Sequence, residues 1–449
     1  MLAAGQGRRM NSSYPKVLQP LAGRPMLSHV LDTAEALKPH RVNIVHGYGG
    51  DAVRQEFSDR ELDWTHQVKQ LGTGHAVAQA LPQVPDEHRV LVLFGDVPLI
   101  SPVSLDRLLA EAGTGGVGLL TAHVDDPKGY GRVLRDNVGS VSAVVEDADA
   151  TPQELAVDEI NTGIMVLPAL SAKRWLGSLD DGNSQGEFYL TDVVAMAVAE
   201  GVPVAGVPVA DPVEAMGIND RHQLAQAERA IQQRYANELL EQGVTLADPS
   251  RFDLRGQLAV GRDVFIDVGA VFSGNVTLGD RVRIGPNAVI SDSWLGDDCT
   301  VHANCVIDGV IAGADCEIGP FSRLRPGTEF DERVKVGNFV EVKGARLASG
   351  VKANHLSYVG DTRIGRDSNV GAGTVTCNYD GANKHRTEIG DRVFVGSGSM
   401  LVAPLRVGDG ATIAAGSTIT RNVPPGDLAV ARQRQSTVKG WKRPKKREP

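Results

Sequence analysis

Two periods of apolar residues divide the chain. Up to about residue 216, short apolar runs alternate with helical stretches. "VNIVH" (42–46) and "VLVLF" (90–94) read as strands buried on both faces, and "GTGHAVAQAL" between them reads as a helix. Such alternation predicts a doubly wound, Rossmann-like α/β layer on a mostly parallel sheet. From Asn219 to Gly243 the spacing changes. Leu224, Ala227, Ile231, Tyr235 and Leu239 recur at three- and four-residue intervals and make one helical stripe, with Asn219 or Asp220 to cap its start and Gly243 its end.

Beyond Val260 the period is six. Val260, Ile266, Phe272, Leu278, Ile284 and Ile290 form one run, Ile318, Leu324, Phe330, Val336 and Val342 a second, and Ile389, Val395, Leu401, Val407, Ile413 and Ile419 a third. Neither a helix nor a simple strand repeats in this way. A parallel β-helix does, because each hexad supplies one short strand and one corner, with the aliphatic side chain pointing into a narrow core. The chain therefore reads as residues 1–216 (nucleotide-binding α/β domain), 217–243 (linking helix), 244–431 (β-helix of hexapeptide repeats) and 432–449 (basic tail). Two stretches break the repeat, "KGARLASGVKANHLSYVGD" (343–361) and "TCNYDGANKHRTEI" (376–389). Both are expected to be surface insertions that carry a site.

Charge and cysteine content narrow the function. With 46 basic and 55 acidic residues the net charge is −9, which argues against nucleic acid or an anionic membrane as the main partner. Residues 432–449 hold eight Lys or Arg and one Glu, so the tail carries +7 and the remainder −16. Cys299, Cys305, Cys316 and Cys377 show no CxxC spacing and read as reduced thiols. No signal-peptide pattern and no membrane-length apolar run is present, so a cytoplasmic protein is expected.

The N-terminal "LAAGQGRRM" is a glycine loop whose backbone N–H groups can approach an anion, with Arg9 and Lys16 adding positive charge. Its spacing is not that of a P-loop, and Met10 stands where a dinucleotide fingerprint would place its third glycine. Asp96 follows "VLVLF" at the carboxyl end of a predicted strand, where open α/β sheets bind ligands. A carboxylate there suits Mg²⁺ shared with phosphate oxygens, or simply caps the next turn.

The motifs "LAAGQGRRM", "PKVLQPLAG", "QLGTGHA", "FGDVPL", "GYGRV" and "EINTGI" resemble the nucleotide-sugar pyrophosphorylases. Joined to hexapeptide repeats carrying "RLRPG", "GNFVEVK", "HLSYVGD" and "TCNYDGANK", they resemble the bacterial bifunctional N-acetylglucosamine-1-phosphate uridylyltransferase / glucosamine-1-phosphate N-acetyltransferase family over nearly the whole chain. The resemblance implies a left-handed β-helix and a homotrimer, with UTP and acetyl-CoA as co-substrates. It implies that Leu2, Ala3, Ala4, Gly5, Arg9 and Lys16 contact the nucleotide, Gln67, Gly72 and Thr73 hold the uracil side, and Phe94 and Gly95 flank Asp96. Asp96 and Asn219 would share Mg²⁺, and Gly131, Glu146 and Asn161 would hold the sugar. Arg8 stands where the family usually has Thr, and Phe94 where Tyr is common. Members also carry several more apolar residues ahead of "LAAG". A late start is therefore expected here, with weakened folding or nucleotide affinity in the first domain and an untouched β-helix.

Acetyl transfer to a sugar amine needs a base near neutral pKa and a stabilised oxyanion. Three histidines lie beyond Val260 (His302, His355 and His385), and the resemblance places His355 on the family's general base, with Glu341 to orient it. It implies that Arg325 and Lys343 hold the sugar phosphate and that Tyr358 and Asn369 contact the sugar. Lys343 is then the only local cation candidate, because Gly344 replaces a lysine seen in some members. Ala372, Asn378, Tyr379, Ser397, Ala415 and Arg432 would line the acetyl-CoA site. Three other readings compete: a pyrophosphorylase whose β-helix serves only for assembly, a zinc protein using the three histidines, and a structural solenoid.

Overall fold

The computed structural model describes residues 1–444, so residues 445–449 of the basic tail lie outside it. The chain forms two compact units whose boundary, Ile231/Gln232, falls inside the long helix Arg221–Glu241.

In the first unit, Leu2–Ala3 pairs in parallel with Asn43–His46, which pairs in parallel with Asp63–His66. The helix Thr73–Ala80 follows, as the pattern predicts. The second sheet runs in the order Val204–Pro208, Val117–His123, Glu159–Pro168, Arg132–Arg135, Val141–Val145, with Arg89–Val92 also on Glu159–Pro168. Only Val204–Pro208 and Val117–His123 pair in parallel there; the other pairings are antiparallel. The expectation of a mostly parallel sheet therefore holds for the first three strands alone. The reason is local. "RVLRDNVGSVSAVV" is two alternating runs around a turn, in which Asp136 N–H donates to Ser140 O at 2.8 Å and Gly139 has φ 85°. A hairpin returns the chain antiparallel where a helical crossover would have kept it parallel.

The strand behind the glycine loop is short. Leu2 N–H donates to Leu93 O and Gly95 N–H to Leu2 O, so Leu2 bridges Asn43–His46 to the end of the 89–94 run. Beside Met1 lies a cavity of about 660 Å³, lined by Val42, Asn43 and Val45 and by Val90, Leu91 and Leu93. Met1 N–H donates to Asn43 O at 2.7 Å.

The second unit is the left-handed parallel β-helix of hexapeptide repeats, with two extended parallel stacks that make up its faces. The residues Ile266, Ile284, Val301, Ile318, Val336, Ala353, Val370, Val395 and Ile413 stack on one face and are all buried. Every member of the three predicted runs is buried except Val260, which packs at the margin of the core. Corners follow an aliphatic–Gly–Asp pattern. A Cβ on Gly279 or Gly390 would collide with the next coil, whose Asp297 or Asp409 carboxylate accepts the N–H of Asp280 or Asp391. The runs are interrupted between Ile290 and Ile318 because two steps, Ile290 to Leu295 and Ile307 to Ala312, are five residues long. One expectation is corrected here. Residues 343–361 are not an insertion: Arg346–Leu347, Lys352–His355 and Tyr358–Gly360 continue the faces, with Leu347, Ala353 and Val359 buried. Within 376–389, residues 378–386 do leave the helix, between the strands Val375–Cys377 and Thr387–Ile389, and Val370 stacks on Val395, 25 positions later in the sequence.

Candidate functional site

The glycine loop turns over the edge of the first sheet. Gly7 has φ 61°, and a Cβ there would lie 2.6 Å from Lys16 Cβ; a Cβ on Gly5 would meet open space. Gly5 thus serves close approach from outside, whereas Gly7 makes room for Lys16. Lys16 sits in a 3-10 turn and is buried. Its ammonium forms an ion pair with Asp96 and donates to Asn219 Oδ1 at 2.7 Å. These partners are 80 and 203 residues away in the sequence. Asn219 is delivered by the backbone: Ile218 N–H donates to Asp96 O at 2.9 Å, and Asn219 N–H donates to Gln223 Oε1 at 2.7 Å. Asp220, not Asn219, caps the long helix, accepting Gln223 N–H at 2.9 Å. That leaves the Asn219 side chain for the cluster.

Around this cluster, Gly72 has φ 107° and a Cβ on it would lie 2.6 Å from Phe188 O. The Gln67 carboxamide donates to Gly72 O at 3.2 Å and lies 2.9 Å from His75 Nδ1, while Thr73 Oγ1 accepts Leu190 N–H at 3.2 Å. The side chains predicted for the uracil side therefore brace one another. The ring of Phe94 lies over Gly163, where a Cβ would come within 2.6 Å, and Gly95 packs against Val17. Arg9 is exposed on the loop.

Gly131, Glu146 and Asn161 also come together. Asn161 N–H donates to Gly131 O at 2.8 Å, and a Cβ on Gly131 would lie 3.3 Å from Glu146 Oε2. The Asn161 carboxamide accepts Gly163 N–H at 2.9 Å. Burial raises the Glu146 pKa, reinforced by Asp192, Asp149 and Asp147 and opposed by the Thr191 hydroxyl, which donates to it at 2.9 Å.

In the β-helix the second group of residues is laid out by register. Glu341 is level with Tyr358, and Lys343 with Gly360, one coil apart. Arg325 pairs with Glu341 at 2.9 Å and Lys343 with Asp361 at 3.9 Å. Asn378, buried, donates to Asp361 Oδ2 at 2.5 Å and to the Tyr358 hydroxyl at 3.5 Å. His355, exposed, ends the strand Lys352–His355, and Asn369 pairs with Lys352 on the next coil. The expected partnership of Glu341 with His355 is not made. Glu341 is taken by Arg325, and His355 Nδ1 lies 3.1 Å from Asn338 Oδ1.

A second correction concerns Lys384, which sequence spacing could not place. It lies on the excursion and forms a bridge with Tyr379, and its pKa is lowered by contact with Lys343. Two ammonium groups meeting at one point are suited to an anion. Ala372, Ser397 and Ala415 form a column: Gly398 N–H donates to Ala372 O, Gly416 N–H to Ser397 O, and Arg432 Nη1 to Ala415 O at 2.8 Å. Tyr379 is exposed and its hydroxyl donates to Gly381 O at 2.6 Å. The three histidines of the zinc reading do not converge. His302 faces Glu317 at 3.1 Å, His385 faces Asp380 at 2.7 Å, and among the described residues no three metal-ligating side chains form a cluster.

A glycine loop with a shared cation position on one unit, and a basic and polar column on a hexapeptide β-helix, define a bifunctional transferase that couples a nucleotidyltransferase to an acyltransferase. Comparison with known proteins agrees. The family model described as a MobA-like NTP transferase domain matches residues 1–187, that of a GMPPB C-terminal domain residues 254–349, and that of the bacterial transferase hexapeptide residues 386–421. A protein of Alkalilimnicola ehrlichii named "Bifunctional protein GlmU" is 58% identical over 447 residues, covering 100% of this chain and 96% of that protein. Proteins of the same name from Stutzerimonas stutzeri and Marinobacter nauticus are 55% and 53% identical, covering 99% and 98% of their lengths. The chain belongs to this bifunctional GlmU family. No helix among the described residues is long and apolar enough to cross a membrane.

Proposed function

We propose that the β-helix unit acetylates glucosamine 1-phosphate from acetyl-CoA, and that the first unit joins UMP from UTP to the resulting N-acetylglucosamine 1-phosphate. The observation that carries the second step is the convergence of Asp96 and Asn219 on one cation, the Lys16 ammonium. One charged and one neutral oxygen donor at a point open to phosphates fit Mg²⁺, which keeps waters and phosphate oxygens as its remaining ligands. When bound there, Mg²⁺ neutralises charge on the transferring and leaving phosphates. A phosphate oxygen of the sugar phosphate attacks the α-phosphorus, the bond to the β-phosphate oxygen breaks, and pyrophosphate leaves. Lys16, the loop N–H groups and Arg9 steady the charge, and Gly131, Glu146 and Asn161 orient the sugar. No general base is required, because the nucleophile is already an anion.

In the β-helix, Arg325, Lys343 and Lys384 hold the sugar phosphate, Tyr358 and Asn369 the sugar, and the Ala372–Ser397–Ala415 column with Arg432 the CoA. His355 takes the amine proton as nitrogen attacks the thioester carbon. Collapse of the adduct breaks the C–S bond and releases CoA. The exposed apolar side chains form two ladders, Val289 with Val306 and Trp294 with Ile311, which support assembly through this part of the β-helix, for which we propose a trimer in the cytoplasm. Light scattering on the intact chain reads its mass.

Two assays on the intact chain test the pair of reactions. One follows CoA release from acetyl-CoA with glucosamine 1-phosphate; the other follows pyrophosphate release from UTP, Mg²⁺ and N-acetylglucosamine 1-phosphate. Both are expected to proceed. Pyrophosphate alone would reduce the β-helix to an assembly module. The Lys384→Ala variant is expected to raise KM for glucosamine 1-phosphate about tenfold and leave that for acetyl-CoA within twofold, as loss of one charge-assisted contact to phosphate requires.

A further inference from the structure

His355 ends its strand level with Asn338 on the preceding coil, 17 residues earlier. Asn338 is itself held: its carbonyl accepts Leu356 N–H at 3.1 Å, and the following residue, Phe339, donates N–H to Phe321 O at 3.2 Å. The ring of Phe339 stacks on that of Phe321, with centroids 5.5 Å apart. These contacts hold the Asn338 backbone, and its carboxamide oxygen lies 3.1 Å from His355 Nδ1. A carboxamide oxygen only accepts, so a neutral imidazole facing it carries its proton on Nδ1. The lone pair is then on Nε2, the nitrogen turned away from the preceding coil.

We propose that Asn338 is the positioning residue of the acetyl-transfer site: by accepting from Nδ1–H it holds the His355 ring in the tautomer whose Nε2 removes the proton from the substrate amine. The proposal rests on the reading of His355 as general base. Other charged groups nearby are engaged elsewhere. On the preceding coils Lys335 binds Glu317 at 2.8 Å and Glu341 binds Arg325 at 2.9 Å. Lys352 opens the histidine's own strand, Lys343 and Lys384 lie with Asp361, and the neighbours on the following coil, Asn369 and Ala372, are neutral. Among the described residues no carboxylate reaches the His355 ring. A neutral partner sets the tautomer without adding charge, which suits a base that must be unprotonated at neutral pH.

The test uses the full chain and three variants, His355→Gln, Asn338→Leu and Asn338→Asp, with the melting temperature of the β-helix unit as the control for folding. Asn338→Leu keeps the branched shape and removes the acceptor. It is expected to lower kcat for CoA release about 10- to 100-fold, with KM for both substrates within about threefold, because only about one ring in ten to one in a hundred then presents Nε2 in the productive orientation. Asn338→Asp restores an acceptor. Its plateau kcat is expected within about fivefold of the natural chain, with the acid limb of kcat/KM moved to higher pH because a carboxylate stabilises the imidazolium. A merely structural role would make Asp no better than Leu and leave the acid limb in place, and that result overturns the proposal. So does unchanged kcat in Asn338→Leu when His355→Gln is inactive. Full CoA release by His355→Gln would instead overturn the base assignment itself.

Discussion

Replacing Asp96 with asparagine is expected to lower pyrophosphate release by at least about a thousandfold, roughly 4 kcal/mol of transition-state stabilisation, while CoA release is unchanged. Among the described residues, Asp96 is the one charged oxygen donor at the point where Lys16 and Asn219 meet. The carboxamide keeps the shape and removes the charge, so the loss reads the charge. Lys16 remains beside Asn219 Oδ1, which lets the loop keep its place. Titration of UTP with Mg²⁺ by calorimetry should show binding weakened together with its metal dependence. A variant retaining more than a tenth of the activity would remove Asp96 from the metal site and leave it as a partner of Lys16.

The second large effect is expected at His355. Its replacement by alanine should lower kcat for CoA release by about 10²- to 10⁴-fold, the usual contribution of a positioned base, and leave KM for acetyl-CoA within a few-fold. His355 is exposed at the end of its strand, and the one hydrogen-bond partner of its ring among the described residues is Asn338, so the β-helix should melt at the same temperature within about 2 °C. The pH profile separates a base from a binding group. Loss of a base flattens the acid limb of kcat/KM; loss of a binding contact lowers the curve without changing its shape. An unchanged profile at full rate would return the β-helix to an assembly role.

The β-helix was largely legible because its rule is local. Each of Ile389, Val395, Leu401, Val407, Ile413 and Ile419 is buried by its own coil and the coils next to it, so the period in the sequence is the period of the core. Where a corner shortens by one residue, as between Ile290 and Leu295, the period slips and the eye loses it. A five-residue step from Val342 to Leu347 likewise made residues 343–361 look like an insertion, although Leu347, Ala353 and Val359 continue the faces. The α/β unit was legible in its strands Asn43–His46 and Arg89–Val92 and its helix Thr73–Ala80. The antiparallel half was missed because strand direction depends on whether the chain returns by a turn or a crossover, and the "DNVG" turn carried less weight than the apolar runs around it.

The sequence by itself determined the two periods, the glycine loop, the hexad core and the order of the motifs. These depend on residues that are neighbours along the chain or repeat within one coil. Only the tertiary structure decided which polar groups meet. It brought Lys16 to Asp96 and Asn219 across 80 and 203 residues, paired Glu341 with Arg325, set Asn338 against His355, and carried Lys384 to Lys343. Burial of apolar side chains follows a pattern that any window of the sequence displays, whereas a hydrogen bond or ion pair needs two specific atoms within about 3 Å, a distance that exists only after the chain has closed on itself.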